Sequence, residues 1–166
     1  MTAGSRRSFQ SIIAPVPEAD QLVAGYRADG DWSTRLGVPP HVTIAGPWPL
    51  TVPVTDGDLS SFVEAAIGIS YELGEVGMVG DAVSLFPSDE APLLELRERA
   101  LAVAGTADGV DQAWRLHLTV TRVEDADRID LIRRELEPHL PILCSVKTLR
   151  LVRLLPSGRV ETTVLH

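Results

Sequence analysis

The feature that most constrains this 166-residue chain is a short pattern that occurs twice: a histidine followed two residues later by a threonine. His41–Ile44 reads His-Val-Thr-Ile and His117–Val120 reads His-Leu-Thr-Val, so the two copies begin 117 − 41 = 76 residues apart. Each copy has the alternation and the β-branched residues that are typical of a strand. Because the spacing is close to half the chain, the pattern indicates two related halves.

The elements predicted around each copy follow one order: strand, helix, His-x-Thr strand, helix, strand. The first half gives these elements at 8–14, 18–27, 41–45, 58–67 and, around Gly74, 69–73 and 76–79. The second half gives them at 82–86, 91–104, 116–120, 125–136 and 142–146, with a final hairpin of strands at 148–155 and 159–165. The sequence therefore predicts a duplication within a single domain, 1–166, with repeats at about 8–80 and 81–166.

Composition limits the partners that such a domain can have. The net charge of −8 argues against a protein that coats long nucleic acid, because such binding needs many basic contacts to phosphates. The single cysteine, Cys144, cannot form an internal disulfide, and this predicts a reduced, cytoplasmic setting. No signal peptide is predicted, because the apolar stretch behind Arg6 and Arg7 ends at Pro15. No membrane span is predicted, because no segment approaches the roughly 18 apolar residues that a span needs.

The alternation of a strand gives each copy of the pattern a chemical face. His41 and Thr43 point to the same side, and in the second copy His117, Thr119 and Thr121 do the same. An imidazole with an ordinary pKa of about 6.5 can take or give a proton near neutral pH. Threonine hydroxyls can donate hydrogen bonds to phosphate oxygens. Two such strands predict acid–base chemistry on a phosphate ester, with no metal or cofactor.

Further side chains near the two motifs are candidates for substrate contact. Trp48 and Trp114 flank the motif strands, where they can stack on a base or pack in the core. Arg115 has the strand parity of His117 and is predicted to reach a phosphate, or else to lie in an exposed ion pair. Arg122 has the opposite parity, but a twisted strand end would bring it to the same side.

Two alternatives compete with acid–base catalysis. A single His-x-Thr on a strand is usually incidental, and only the second copy in an equivalent place makes a functional role the better interpretation. A zinc site usually needs three protein ligands, and no third ligand stands at a recognisable spacing from His41 and His117. His139 and His166 are assigned no function.

The motifs resemble those of the 2H phosphoesterase superfamily, which is named for paired His-x-Thr/Ser motifs. The stretch 37–44 with Pro47 and Trp48 is similar to actinobacterial proteins of the 2′-5′ RNA ligase family. Gly46 stands where the relatives often have an aromatic residue, which bears on substrate preference rather than on the core chemistry. The resemblance implies an α+β fold of two lobes related by a pseudo-two-fold axis. Each lobe is an antiparallel sheet with helices outside, and the active-site cleft lies between the lobes.

The resemblance also implies roles for residues of this chain. The catalytic histidines of the family correspond to His41 and His117, and its phosphate-binding hydroxyls to Thr43 and Thr119. Members open 2′,3′-cyclic phosphates, cleave 2′-5′ linkages or reversibly ligate RNA ends. The expected partner is a small nucleotide with a cyclic phosphate, or a short RNA or RNA end. The alternatives are a reversible 2′-5′ RNA ligase and a non-catalytic module that binds a nucleotide or RNA end.

Overall fold

The computed structural model describes residues 8–54, 56–104 and 115–166, except the side chains of 56–58. Within this part of the chain lie eight strands and four α-helices. The strands are β1 Phe9–Pro15, β2 His41–Trp48, β3 Ser70–Val79, β4 Ala82–Pro87, β5 Leu118–Arg122, β6 Ile142–Ser145, β7 Leu149–Leu154 and β8 Val160–Leu165. The helices are α1 Asp20–Gly30, α2 Asp56–Ala66, α3 Ala91–Val103 and α4 Ala126–Leu136.

Local sequence explains where two of the helices begin. The Asp125 carboxylate caps α4 by accepting hydrogen bonds from the backbone N–H groups of Asp127 and Arg128, at 2.9 and 3.2 Å. The Asp89 carboxylate accepts one from Ala91 N at 2.9 Å at the start of α3. These bonds satisfy amides that have no partner within the helix.

The strands form one antiparallel sheet in the order β6-β3-β4-β5-β2-β1-β7-β8. This confirms the predicted α+β class. The strands that carry the two motifs, β5 and β2, are neighbours at the centre of the sheet. The alternation of side chains along β2 and β5 therefore determines which groups lie on each face at the centre of the sheet.

The two faces of the central strands differ in burial. Val42, Ile44 and Leu118 are fully buried in the main core, to which all four helices contribute side chains. His41 and Thr43 point to the other face and are partly exposed. The helix side of the sheet thus holds the strands in place, and the opposite side is left for a site.

The two halves of the sheet do not coincide with the two halves of the sequence around residue 80. One half of the sheet contains β2, β1, β7 and β8, and the other contains β6, β3, β4 and β5, so each takes strands from both halves of the sequence. The reason is local: β3 and β4 are joined by the two residues 80 and 81, so they pair as a hairpin. The order of elements repeats along the chain, but β3, from the first half of the sequence, lies in the half of the sheet that contains β4, β5 and β6.

None of the helices in the described residues is long and apolar enough to span a membrane.

Candidate active site

The two His-x-Thr motifs lie side by side in opposite directions. Val42 of β2 pairs with Leu118 of β5 in antiparallel register. Counting one residue either way from this pair places Thr43 opposite His117 and His41 opposite Thr119. Each imidazole therefore has the hydroxyl of the other motif as its neighbour across the strands.

Both imidazole rings are oriented by the same kind of backbone contact. The Nδ1 atom of His41 lies 2.7 Å from the carbonyl oxygen of Pro39, and Nδ1 of His117 lies 2.7 Å from that of Arg115. A carbonyl can only accept a hydrogen bond, so Nδ1 carries a proton in both rings. In the neutral form each ring then has its lone pair on Nε2, which makes Nε2 the atom able to take a proton.

The surroundings of both histidines disfavour the charged imidazole. Burial lowers the pKa of His41 below its ordinary 6.5, the Pro39 carbonyl opposes this, and the charges of Arg27 and His117 lower it further while Asp31 raises it. Burial also lowers the pKa of His117; the Arg115 carbonyl opposes this, while the charges of Arg122 and Arg115 lower it further. Both rings are thus mostly neutral at pH 7, and an anionic ligand between them would raise both pKa values.

The motifs open into a cavity of about 220 Å³. It holds His41, Thr43, His117 and Thr119 together, so the structure brings all four predicted motif residues to one place. The remaining walls come from β1, the loop after α1, β7 and β8, and they are largely apolar. The other lining residues are Phe9, Ser11, Ile13, Asp31, Trp32, Ser33, Val38, Pro47, Arg122, Val152, Leu154 and Val160.

A β-bulge in β5 changes which residues follow Thr119 into the cavity. Ser84 of β4 pairs with Thr119 but Val83 pairs with Thr121, so one extra residue is accommodated on β5. The predicted alternation fails here: Thr121 is only 5% exposed and does not line the cavity. It packs against Gly30, where a Cβ atom would lie 2.1 Å from the Thr121 hydroxyl oxygen. Arg122 is turned into the cavity instead, paired with Asp81.

Arg115 does not line the cavity, and of its two predicted roles it takes the exposed ion pair. Its guanidinium lies 4.2 Å from the ring centre of Phe86 and its Nε atom donates to Glu90 at 3.1 Å. These contacts hold Arg115 beside the Phe86 ring, which itself lies near His117. Its effect on the site is through its charge and through the carbonyl that orients His117.

Trp48 takes the second of the two roles considered for it, packing in the core rather than stacking on a base. Register shifts in the β1–β2 pairing turn its side chain into the main core, where it is 7% exposed. Gly46, two residues before Trp48, has a φ of +101°, and a Cβ there would lie 2.8 Å from Gln10 O, so an aromatic residue at this position would be strained and crowded. Trp114, the other predicted aromatic, lies outside the described residues.

The aromatic residues that line the cavity are ones the sequence interpretation missed. Trp32, 43% exposed, lies in the loop after α1, and Phe9 meets it edge to face with ring centres 6.3 Å apart. The available sequence signal was a tryptophan between polar residues in a loop, Asp31-Trp32-Ser33, where core packing is not expected.

Among the side chains that the structure describes, in 8–54, 59–104 and 115–166, no three from His, Cys, Asp or Glu are grouped so that they could hold a metal ion.

Comparison with known proteins agrees with this fold. The model of the 2′-5′ RNA ligase superfamily matches residues 15–157, and the chain belongs to that superfamily. No curated protein sequence matches the chain.

Solved structures share the fold at low sequence identity. E. coli LigT with 3′-AMP aligns with a TM-score of 0.56 and 15% identity over 96% of this chain and 95% of its own. LigT in its apo form gives 0.55 and 17% over the same shares. TT0787 of Thermus thermophilus gives 0.54 and 20% over 95% of each chain.

Proposed function

We propose that this protein is a phosphoesterase in which His41 and His117 act as a general acid–base pair on 2′,3′-cyclic phosphates or 2′-5′ phosphodiesters of nucleotides or RNA ends. The observation that carries the proposal is the antiparallel register of the two motifs. It sets two imidazoles and two hydroxyls around one cavity, with each histidine opposite the threonine of the other motif.

The reaction on a cyclic phosphate follows from the proton positions. One neutral histidine takes a proton from water through Nε2 as the water oxygen forms its bond to phosphorus. The other histidine, protonated on Nε2, gives that proton to the ribose oxygen as its bond to phosphorus breaks. The product is a nucleoside monophosphate with one free hydroxyl, and the two histidines return to their starting states by exchanging protons with solvent.

Charge on the phosphate is met by hydroxyls and one guanidinium. Thr43 and Thr119, which line the cavity, donate to the non-bridging oxygens and stabilise the charge that develops there. Arg122 lines the same cavity, and the anionic phosphate competes with Asp81 for its guanidinium. No step of this scheme needs a metal ion.

The rest of the cavity favours a small nucleotide as the ligand. Trp32 offers an exposed ring on which a base stacks, and stacking tolerates any base. At about 220 Å³ the cavity is smaller than the roughly 300–1,000 Å³ typical of ligand pockets, which favours a single nucleotide or a chain end as the ligand. LigT, which has this fold, is solved with 3′-AMP, ATP and NADP+.

The decisive experiment incubates the protein with 2′,3′-cyclic nucleotides and 2′-5′ dinucleotides in EDTA and identifies the phosphate ester formed by ³¹P NMR. We expect turnover that persists in EDTA. Loss of activity on chelation would instead support zinc-dependent hydrolysis. Tight nucleotide binding with no product over long incubation would support a binding module of the same fold.

A further inference from the structure

A buried network of charged and polar side chains adjoins the His41 side of the candidate site. Arg27, at the end of α1, is 2% exposed, and its Nε and Nη2 atoms lie 2.9 and 2.8 Å from the Asp31 carboxylate. The other Asp31 oxygen accepts from the backbone N–H and the hydroxyl of Ser33, at 3.0 and 2.8 Å. Asp31 and Ser33 also line the cavity that contains His41.

This network reaches the contact that orients His41. Arg27 Nη2 donates to Ser33 Oγ at 3.0 Å and to the carbonyl of Val38 at 3.1 Å. The amide of Val38 donates back to the Ser33 carbonyl at 3.1 Å. The next carbonyl along the chain, that of Pro39, accepts the hydrogen bond from His41 Nδ1. The Arg27 guanidinium therefore holds the loop whose last carbonyl, that of Pro39, accepts the hydrogen bond from His41.

The buried ion pair is poorly explained by stability alone. Two charges removed from water pay a large desolvation cost, and a well-packed apolar pair of similar volume is often at least as stable. Its placement fits a role in the site, because its hydrogen bonds run along the loop that leads to His41. The arginines near the other histidine, Arg115 and Arg122, are instead about half exposed.

We propose that Arg27, Asp31 and Ser33 are positioning residues for His41, which lock the 31–40 loop so that the Pro39 carbonyl holds the imidazole in its Nδ1–H tautomer with Nε2 available for proton transfer. The catalytic part of this inference rests on the proposed function. The orientation of the ring does not, and it can be measured in the absence of any substrate.

The two members of the ion pair act on His41 in opposite directions. The charge of Arg27 lowers the pKa of His41 and that of Asp31 raises it. The other charged groups at this cavity are His117, which lowers that pKa, and Arg122 with its partner Asp81. Removing Arg27 alone should therefore raise the pKa, and removing the Asp31 charge alone should lower it.

The test is an NMR titration of the histidine rings in the full chain. We expect Arg27→Met to raise the pKa of His41 and Asp31→Asn to lower it, with a smaller change at His117. Asp29→Asn, which alters an exposed carboxylate near the end of the same helix, is the matched control and should leave both rings unchanged. Shifts in the same direction, or none, in folded variants would overturn the proposal.

The double variant Arg27→Met/Asp31→Asn keeps the test decisive if either single variant fails to fold, because it leaves no unpaired buried charge. We expect its His41 to show a mixture of tautomers in ¹⁵N spectra, and its kcat to fall roughly 10- to 100-fold with little change in KM. A pure Nδ1–H tautomer with unchanged kcat would refute the positioning role. If the wild-type protein hydrolyses nothing, the proposed function fails while the tautomer measurement still decides the orientation.

Discussion

The two halves of the site share a motif and differ in what surrounds it. His41 and His117 each donate Nδ1–H to the carbonyl two residues earlier, at the same 2.7 Å distance. Behind His41 lies the buried pair of Arg27 and Asp31, whereas His117 is flanked by Arg115 and Arg122 in ion pairs that are open to solvent. Each motif, with the carbonyl two residues before it, sets the geometry of its ring, whereas the charges around each ring come from residues outside the motif.

The largest expected effect is the loss of activity when either histidine is removed. We expect His41→Ala and His117→Ala each to reduce kcat/KM on a 2′,3′-cyclic nucleotide by roughly 10²–10⁴-fold, because each removes one proton transfer. Initial rates measure the loss, and circular dichroism checks the fold.

The exposed His139 provides a matched control, since His139→Ala should leave the rate unchanged. The double variant should be nearly as active as either single variant, because residues that act as a unit are not additive. Full activity in His41→Ala or His117→Ala would rule out the paired mechanism.

The hydroxyls test whether the two motifs contribute equally to phosphate binding. Thr43→Val and Thr119→Val preserve shape and β propensity but remove a donor, and we expect each to lower kcat by about 10²-fold. Thr121→Val is the control: its side chain is packed against Gly30, so kcat should remain near that of the wild type. A large loss in the Thr121 variant would mean that the bulge in β5 does not direct this residue away from the substrate.

Substitution of Trp32 and of Trp48 distinguishes a tryptophan that contacts the ligand from one that stabilises the core. Trp32→Ala should weaken binding of a nucleotide substrate by about 1–3 kcal/mol, because it removes a stacking platform, with little change in Tm. Trp48→Ala should instead destabilise the fold by about 3–5 kcal/mol, because it empties part of the core. KM values and thermal unfolding distinguish the two.

A substrate without a base distinguishes stacking by Trp32 from an effect of Trp32 on the shape of the site. For ribose 2′,3′-cyclic phosphate, the Trp32→Ala protein should match the wild type. An equal loss on both substrates would show that Trp32 acts through the shape of the site rather than through stacking.

The two arginines near His117, Arg122 and Arg115, are expected to differ in their effect on KM, and this difference is smaller than the effects described above. Arg122→Met should raise KM about 10-fold, because it removes a charge that lines the cavity. Arg115→Met should leave KM nearly unchanged, since its guanidinium is held against Phe86 and Glu90. Steady-state kinetics at two salt concentrations would measure this, and an equal rise in KM for both variants would contradict the difference.

The sequence predicts those features of the fold and site that depend on nearest neighbours along one strand. His41 and Thr43 share a face because strand alternation has a period of two residues, and the same rule holds for His117 and Thr119. The α+β class is what the resemblance of the two motifs to the 2H phosphoesterase superfamily implies. These features need no knowledge of how distant segments meet.

The features that could not be predicted depend on how distant segments of the chain meet. The bulge that exchanges Thr121 for Arg122 exists only in the register between β4 and β5. The burial of Trp48 depends on shifts in the β1–β2 pairing. Trp32 lies in a loop, where no period indicates the direction of a side chain, and only tertiary structure places it beside Phe9.

The smallest expected effect is a displacement of the pH optimum, and it tests what the two histidines have in common despite their different surroundings. Activity requires one neutral and one protonated histidine, and this state is most populated midway between the two pKa values of the pair. Burial lowers the pKa of both rings below 6.5. The bell-shaped profile of kcat/KM should therefore have its maximum below pH 6.5, and it should fall at higher pH as the acid loses its proton.

The corresponding profile of kcat should have its maximum at a higher pH than that of kcat/KM. A bound phosphate anion between the rings favours their charged forms and raises both pKa values, and kcat reports the complex whereas kcat/KM reports the free protein. In Asp31→Asn the kcat/KM maximum should move further to acid, because His41 loses a negative neighbour while His117 is little affected. An optimum above pH 7 for kcat/KM in the wild type would contradict the desolvated site, whatever the identity of the substrate.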